Sequence, residues 1–156
     1  SIRENIPLMN ISAISKNGIF SKKKERKLAR KYIEKVRIVA RNEDQNVAKL
    51  SGGNQQKVVL SKCLNADSDI LLMDEPTRGI DVGAKEEIHN LIRELSAAGK
   101  SIVVFSSELP EILNLCDRII LLYEGSIRET VINSDDIDSE RIMHVVTGGV
   151  EQRKNE

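Results

Sequence analysis

Apolar residues change their period partway along this chain. Up to about residue 64 they recur at three- and four-residue intervals, which predicts helices. Leu28, Tyr32, Val36 and Val39 share one helical face within a highly charged stretch, and Val59, Leu60, Cys63 and Leu64 form a stripe along a helix predicted over 52–64. Before the first of these, "RENIPLM" reads as a short irregular entry and "NGIF" as a turn, and "RNEDQN" is a polar loop ahead of the second. From about residue 69 short unbroken apolar runs alternate with helical stretches. "DILLMDE", bounded by Pro76, and "SIVVF" are predicted strands. Between them Ile88, Leu91, Ile92 and Leu95 line one side of a helix that Gly99 is placed to stop. "ELPEILNLC" predicts a short helix, "RIILLYEGSIRETV" a hairpin turning at Glu124-Gly125, and "SERIMHVVTGG" a last helix. Strands that read as buried on both faces and separated by helices imply a parallel α/β sheet. The expected organisation is a helical subdomain over 1–64, an α/β half over 65–149 and a polar tail over 150–156, with no internal repeat.

Composition narrows the classes. With 156 residues the chain is long enough to bury a sizeable core. Lys plus Arg and Asp plus Glu are equal at 24 each, so no global field favours nucleic acid as a partner. Aromatics make up 3% and Trp is absent, which argues against base-stacking platforms. Cys63 and Cys116 sit singly in apolar patterns and are expected as buried, reduced thiols. His89 and His144 lie on predicted helices with no partner cluster, at expected surface or rim positions. The basic run "SKKKERKLARK" is expected to be a solvated helix face. No apolar run reaches the length of a membrane span and no signal peptide opens the chain, so a soluble, intracellular protein is expected.

The chemistry gathers at two places. In "KLSGGNQQK" Ser51 is a good N-cap, its hydroxyl placed to accept from a first-turn N–H. Gly52 and Gly53 remove side chains where a ligand would approach the backbone. A helix N-terminus so built suits a phosphate. In "ILLMDEP" Asp74 and Glu75 emerge at the carboxyl end of a strand, where open α/β sheets bind ligands. Adjacent carboxylates there suit Mg²⁺ at Asp74 and an oriented water at Glu75. Either feature alone is compatible with a capped helix or a solvated turn; the two together are specific.

"LSGGNQQK", "ILLMDEPTRGID" and "SSELPEI", in this order, resemble the ATP-binding-cassette ATPases. More narrowly they resemble the second cassette of the tandem ATPase subunits that serve bacterial monosaccharide importers, over roughly residues 1–149. The resemblance implies a partial P-loop NTPase core with parallel strands plus a helical subdomain, ATP and Mg²⁺ as ligands, and a second cassette and membrane permease subunits as partners. It places the protein on the cytoplasmic side of the plasma membrane, peripheral through the permease. By the same likeness Ser51, Gly52, Gly53 and Asn54 form the signature loop, with Gln55 and Gln56 beside it. Asp74 and Glu75 are the Walker B aspartate and the catalytic glutamate, and Thr77 to Asp81 form the loop that crosses the cassette dimer. Two positions depart from the pattern. Asn54 stands for the signature's usual glutamine, and Ser107 stands where a switch histidine is expected.

No G-x-x-x-x-G-K-[ST] occurs in these residues. "GIDVGAK" comes near, but its spacing is short and no strand precedes it. The chain therefore reads as the part of a cassette that follows the lysine loop and the glutamine loop. Alone it is expected to be inactive and to self-associate through exposed apolar faces. Two rival readings are a soluble cassette ATPase of DNA repair or translation and a non-catalytic module contributing only a dimer face.

Overall fold

The computed structural model describes residues 1–134 and 136–149, so the tail expected at 150–156 lies outside the described residues. Packing divides the chain into two units, one spanning Ser1–Phe105 and the other starting at Ser106. The change from helices to strands near residue 64 is internal to the first unit.

In the first unit the irregular entry resolves into α1 (Ile2–Asn5) and two 3₁₀ turns, Ile6–Met9 and Ile11–Ile14. "NGIF" is more than a turn. It is the tip and second strand of a small hairpin, β1 (Ser15–Lys16) with β2 (Ile19–Phe20), reversing through Asn17 and Gly18 with both at positive φ. Helix α2 (Lys22–Lys35) starts at Ser21, whose hydroxyl accepts from Lys24 N–H. Its inward face is Glu25, Ala29 and Tyr32, followed by Val36. Val39, expected on that face, is exposed. The helix ends at Lys35, and Arg37 at φ 55° turns the chain so that Ile38 points inward instead. The basic run lies on the solvated side as expected.

Helix α3 (Gly52–Asn65) buries Gly53, Lys57, Val58, Leu60, Ser61, Leu64 and Asn65. The apolar stripe predicted on it is therefore rotated. Val59 is exposed and Cys63 is half-buried, because polar Lys57, Ser61 and Asn65 are buried and each has a hydrogen-bond partner. Lys57 reaches Arg37 O and Glu87, Ser61 donates to Lys57 O at 2.8 Å, and Asn65 O accepts from Asn10 at 2.9 Å. The fold is α/β as expected, with β3 (Ile70–Asp74) parallel to β4 (Ser101–Phe105) across α4 (Val82–Ala97), in register from Ile70 opposite Ser101 to Asp74 opposite Phe105. Helix α4 buries all four predicted residues, and Gly99 at φ 90° closes it. Gly99 N–H donates to Ser96 O and Lys100 N–H to Leu95 O.

The strands are not buried on both faces. Leu71 and Met73 point inward, but Ile70 and Leu72 are 60% and 70% exposed and Val103 and Phe105 beside them are also open. Only one side of this two-stranded sheet is covered within the unit. His89 is likewise corrected: it is 7% exposed, carried inward one position from Ile88 on α4.

The second unit holds α5 (Leu109–Leu115), the hairpin of β5 (Arg118–Tyr123) and β6 (Ser126–Ile132), and α6 (Ser139–Val146). The hairpin reverses at Glu124 and Gly125, both at positive φ, as the sequence predicts. Ile119 and Leu121 of β5 pack with Ile142 and Val145 of α6. Cys116 is half-buried beside this core, and burial, helped by Asp117 and Glu111, raises its thiol pKa. His144 is exposed, as expected.

Candidate functional site

Ser51 occupies the N-cap position of α3 with extended backbone, but its hydroxyl does not cap the helix. Oγ instead accepts from Asn54 Nδ2 at 2.9 Å, and Asn54 Oδ1 accepts from Val39 N–H at 2.7 Å. The first backbone bond of the helix runs from Gln55 N–H to Ser51 O, and the Gln55 amide donates to Leu50 O. Among the described residues, the backbone N–H groups of Gly52, Gly53 and Asn54 have no side-chain cap and no helical carbonyl before them. They and the helix dipole make a positive, donor-rich end.

The two glycines answer first to this chain's own packing. A Cβ on Gly53 would lie 2.5 Å from the Ala84 Cβ, and one on Gly52 would lie 3.2 Å from an Ile80 methyl. So α3 and α4 approach too closely for any side chain at 53. The same missing side chains expected to leave room for a ligand are thus also required by the helix packing. Lower down the same contact, Lys57 is buried, donating to Glu87 Oε2 at 2.7 Å and to Arg37 O at 2.9 Å. Its pattern position marks it only as a polar gap in the stripe, which is why sequence reasoning passes over it, as it does the packing role of Ala84.

This packing brings the 77–81 loop to the α3 N-terminus. Gly79, at φ 73°, and Ile80 lie against Gly52, and Asp81 caps α4 by accepting from Ala84 N–H at 2.9 Å. Upstream, Asp74 closes β3 on its exposed side and Glu75 follows at φ 46°. A non-glycine residue in the left-handed region costs about 1 kcal/mol or more and persists where its surroundings enforce it. Here Glu75 N–H donates to Phe105 O at 2.8 Å, and Glu75 O accepts from Arg78 N–H at 3.2 Å. Buried Pro76 and Thr77 anchor the turn, while Arg78 is exposed. The seven-residue connection from the β3 tip to α4 thus packs against the α3 N-terminus. Ser107 belongs to the second unit, where Ser106 Oγ accepts from Glu108 N–H in the turn before α5.

Mg²⁺ suits this donor set in a limited way. The described residues contain no cluster of three or more metal-ligating side chains. Mg²⁺ characteristically takes one or two carboxylates and completes its shell with water and phosphate oxygens, so exposed Asp74 fits the ion only together with a phosphate ligand.

Known proteins resemble this chain in sequence and fold. The ABC transporter family model matches residues 1–78. The ribose import ATP-binding protein RbsA of Halalkalibacterium halodurans is 44% identical over 96% of this chain, and the xylose import ATP-binding protein XylG of Thermoanaerobacter pseudethanolicus is 47% identical over 95%. The chain spans 30% and 29% of their lengths. A dimeric, post-hydrolysis ATP-binding cassette, MJ0796, solved with ADP and Pi, matches with a TM-score of 0.70 at 26% identity, covering 86% of this chain and 57% of that one. An inward-facing transporter described as of metal-chelate type matches with a TM-score of 0.78 at 16% identity, over 94% of this chain and 58% of that one, a likeness of fold alone. The motifs that converge at the α3 terminus and the β3 tip lie within or beside the matched segment, and this chain belongs to the ABC transporter family.

Proposed function

We propose that this chain forms the signature and Walker B part of an ATP-hydrolysing subunit of a sugar importer. The observation that carries the reading is the uncapped N-terminus of α3, held against the loop that follows Asp74 and Glu75. Ser51, Gly52 and Gly53, with Asn54 and Gln55 behind them, face the γ-phosphate of a nucleotide whose lysine loop belongs to a second cassette. At the β3 tip Asp74 would hold Mg²⁺ through its water shell, and the ion would neutralise charge on the phosphates, while Glu75 accepts a hydrogen bond from the attacking water. Asp81 fixes the crossing loop between the two, and Ser107 takes the switch position. Hydrolysis is in-line attack of that water on the γ-phosphorus, with ADP leaving, and the residues act mainly by position and electrostatics. The names of the ribose and xylose relatives support sugar import as the coupled process, with permease subunits as membrane partners and the cytoplasmic membrane face as the location.

The test mixes the chain with a complete, hydrolysis-deficient ribose import ATP-binding protein and measures binding with and without Mg-ATP. ATP-dependent association that Ser51→Ala weakens is the expected result. Association indifferent to ATP overturns the reading and leaves a dimer-face module without a nucleotide. Alone, the chain takes up no Mg-ATP at micromolar concentration in a calorimetric titration.

A further inference from the structure

We propose that Asn54 is a positioning residue that aims the Ser51 hydroxyl, and is not itself a phosphate ligand. The inference rests on the reading of the α3 N-terminus as the phosphate-facing site. An asparagine amide has one acceptor end and one donor end, and its neighbours decide which way it lies. Val39 offers a backbone N–H, which can only donate, so Oδ1 faces Val39 and the 2.7 Å contact follows. Nδ2 is thereby turned to the opposite side, where it donates to Ser51 Oγ at 2.9 Å. One lone pair of Oγ is then occupied. The hydroxyl is not drawn back as a helix cap, since no first-turn N–H donates to it. Its own O–H remains as the donor, directed away from Asn54 and toward an acceptor such as a γ-phosphate oxygen.

The same two bonds explain why a short amide suits this position. Val39 belongs to the reversal after α2, where Arg37 has positive φ, and Asn54 sits on the first turn of α3. Its side chain bridges these segments while remaining within reach of the residue three positions before it. The Ser51 side chain is tied to the α2 reversal by that bridge, so its hydroxyl is set before a nucleotide arrives, which favours binding by reducing what must be ordered.

A double-substitution cycle tests this in the ATP-dependent association with the complete cassette. Ser51→Ala is expected to weaken association about 10- to 100-fold, the range for losing one hydrogen bond to a charged group. Asn54→Ala is expected to weaken it by a smaller factor, and Ser51→Ala with Asn54→Ala together no more than Ser51→Ala alone, because Asn54 acts through the hydroxyl. Two effects that multiply would overturn the inference, as would Asn54→Ala leaving association unchanged. Wild-type association that ignores ATP would instead sink the underlying reading. A measurement on the wild-type fold guards against an Asn54→Ala chain that fails to fold. The Asn54 side-chain amide protons should exchange slowly, and should lose that protection in Ser51→Ala while the Val39 amide keeps its own. Fast Asn54 side-chain exchange in the wild type would overturn the assignment.

Discussion

Gly53, proposed above to face a phosphate, is also required by packing. Its missing Cβ lets α3 lie so close to α4 that an added methyl would sit 2.5 Å from the Ala84 Cβ, so Gly53→Ala must push the helices apart or bend α3. The expected loss is about 1–3 kcal/mol, the usual cost of overpacking, read as a lowered midpoint in chemical unfolding. Unchanged stability would mean that the helices separate freely. Glu75 stands in the opposite relation to stability. Its left-handed backbone is strained and it follows directly on the strand tip, where the proposed function puts the chemistry. In a complete subunit Glu75→Gln should still bind nucleotide and slow single-turnover hydrolysis at this site by about 10²–10⁴-fold, the usual worth of a general base. An undiminished rate would remove the role assigned to Glu75.

At the scale of elements, α2 and the loop before α3 are joined by ion pairs. Glu43 is buried and accepts from Arg30 at 2.8 and 3.2 Å, with Arg26 3.7 Å away. Arg3 bridges buried Glu25 at 2.7 Å and reaches Asp44 as well. The Arg30 hydrogen bond is the main cause that lowers the Glu43 pKa below its ordinary 4.5, with its backbone and the two arginine charges adding to it. A carboxylate whose folded pKa is depressed stabilises the fold fully above the unfolded value and loses that contribution as pH falls through the folded one. The helical part should therefore be less stable below about pH 4.5 than at neutral pH. Glu43→Gln should flatten that acid limb in a series of thermal unfolding curves, and an acid limb of unchanged steepness would show that other carboxylates set it. Lys57 makes a comparable link between α3 and α4, joining the signature helix to the helix that Asp81 caps.

For the whole molecule the open face of β3 and β4 dominates. Ile70, Leu72, Val103 and Phe105 form an apolar strip on a two-stranded parallel sheet, an architecture normally covered on both sides. Burial of such surface is worth roughly 25 cal/mol per Å², enough to drive association when copies meet. The chain should form concentration-dependent oligomers in light scattering, and Leu72→Lys should shift them toward monomer with little change in the unfolding midpoint. A monomer at high concentration in the wild type would refute this.

Local pattern alone determines a good part of this protein. The α4 stripe of Ile88, Leu91, Ile92 and Leu95, its Gly99 stop and the turn at Glu124-Gly125 are matters of period and backbone freedom, and the structure has them as read. The motifs around Ser51 and Asp74 are legible for a related reason: each depends on a short contiguous stretch with an unusual residue pattern. What the residue order leaves undecided depends on contacts between distant segments. Hydrophobicity alone puts Val59 and Cys63 inward, whereas hydrogen bonds to Arg37 O and to exposed Glu87 let Lys57 be buried, and α3 is rotated accordingly. The unbroken apolar run of β3 tells of a strand made for burial, but only the fold shows that, among the described residues of the first unit, one face is covered and Ile70 and Leu72 on the other are exposed. Ser51 is readable as an N-cap. That its hydroxyl is held by Asn54, leaving the end of the helix open, is decided by the one backbone N–H of Val39, fifteen residues from Asn54 in sequence and 2.7 Å away in space.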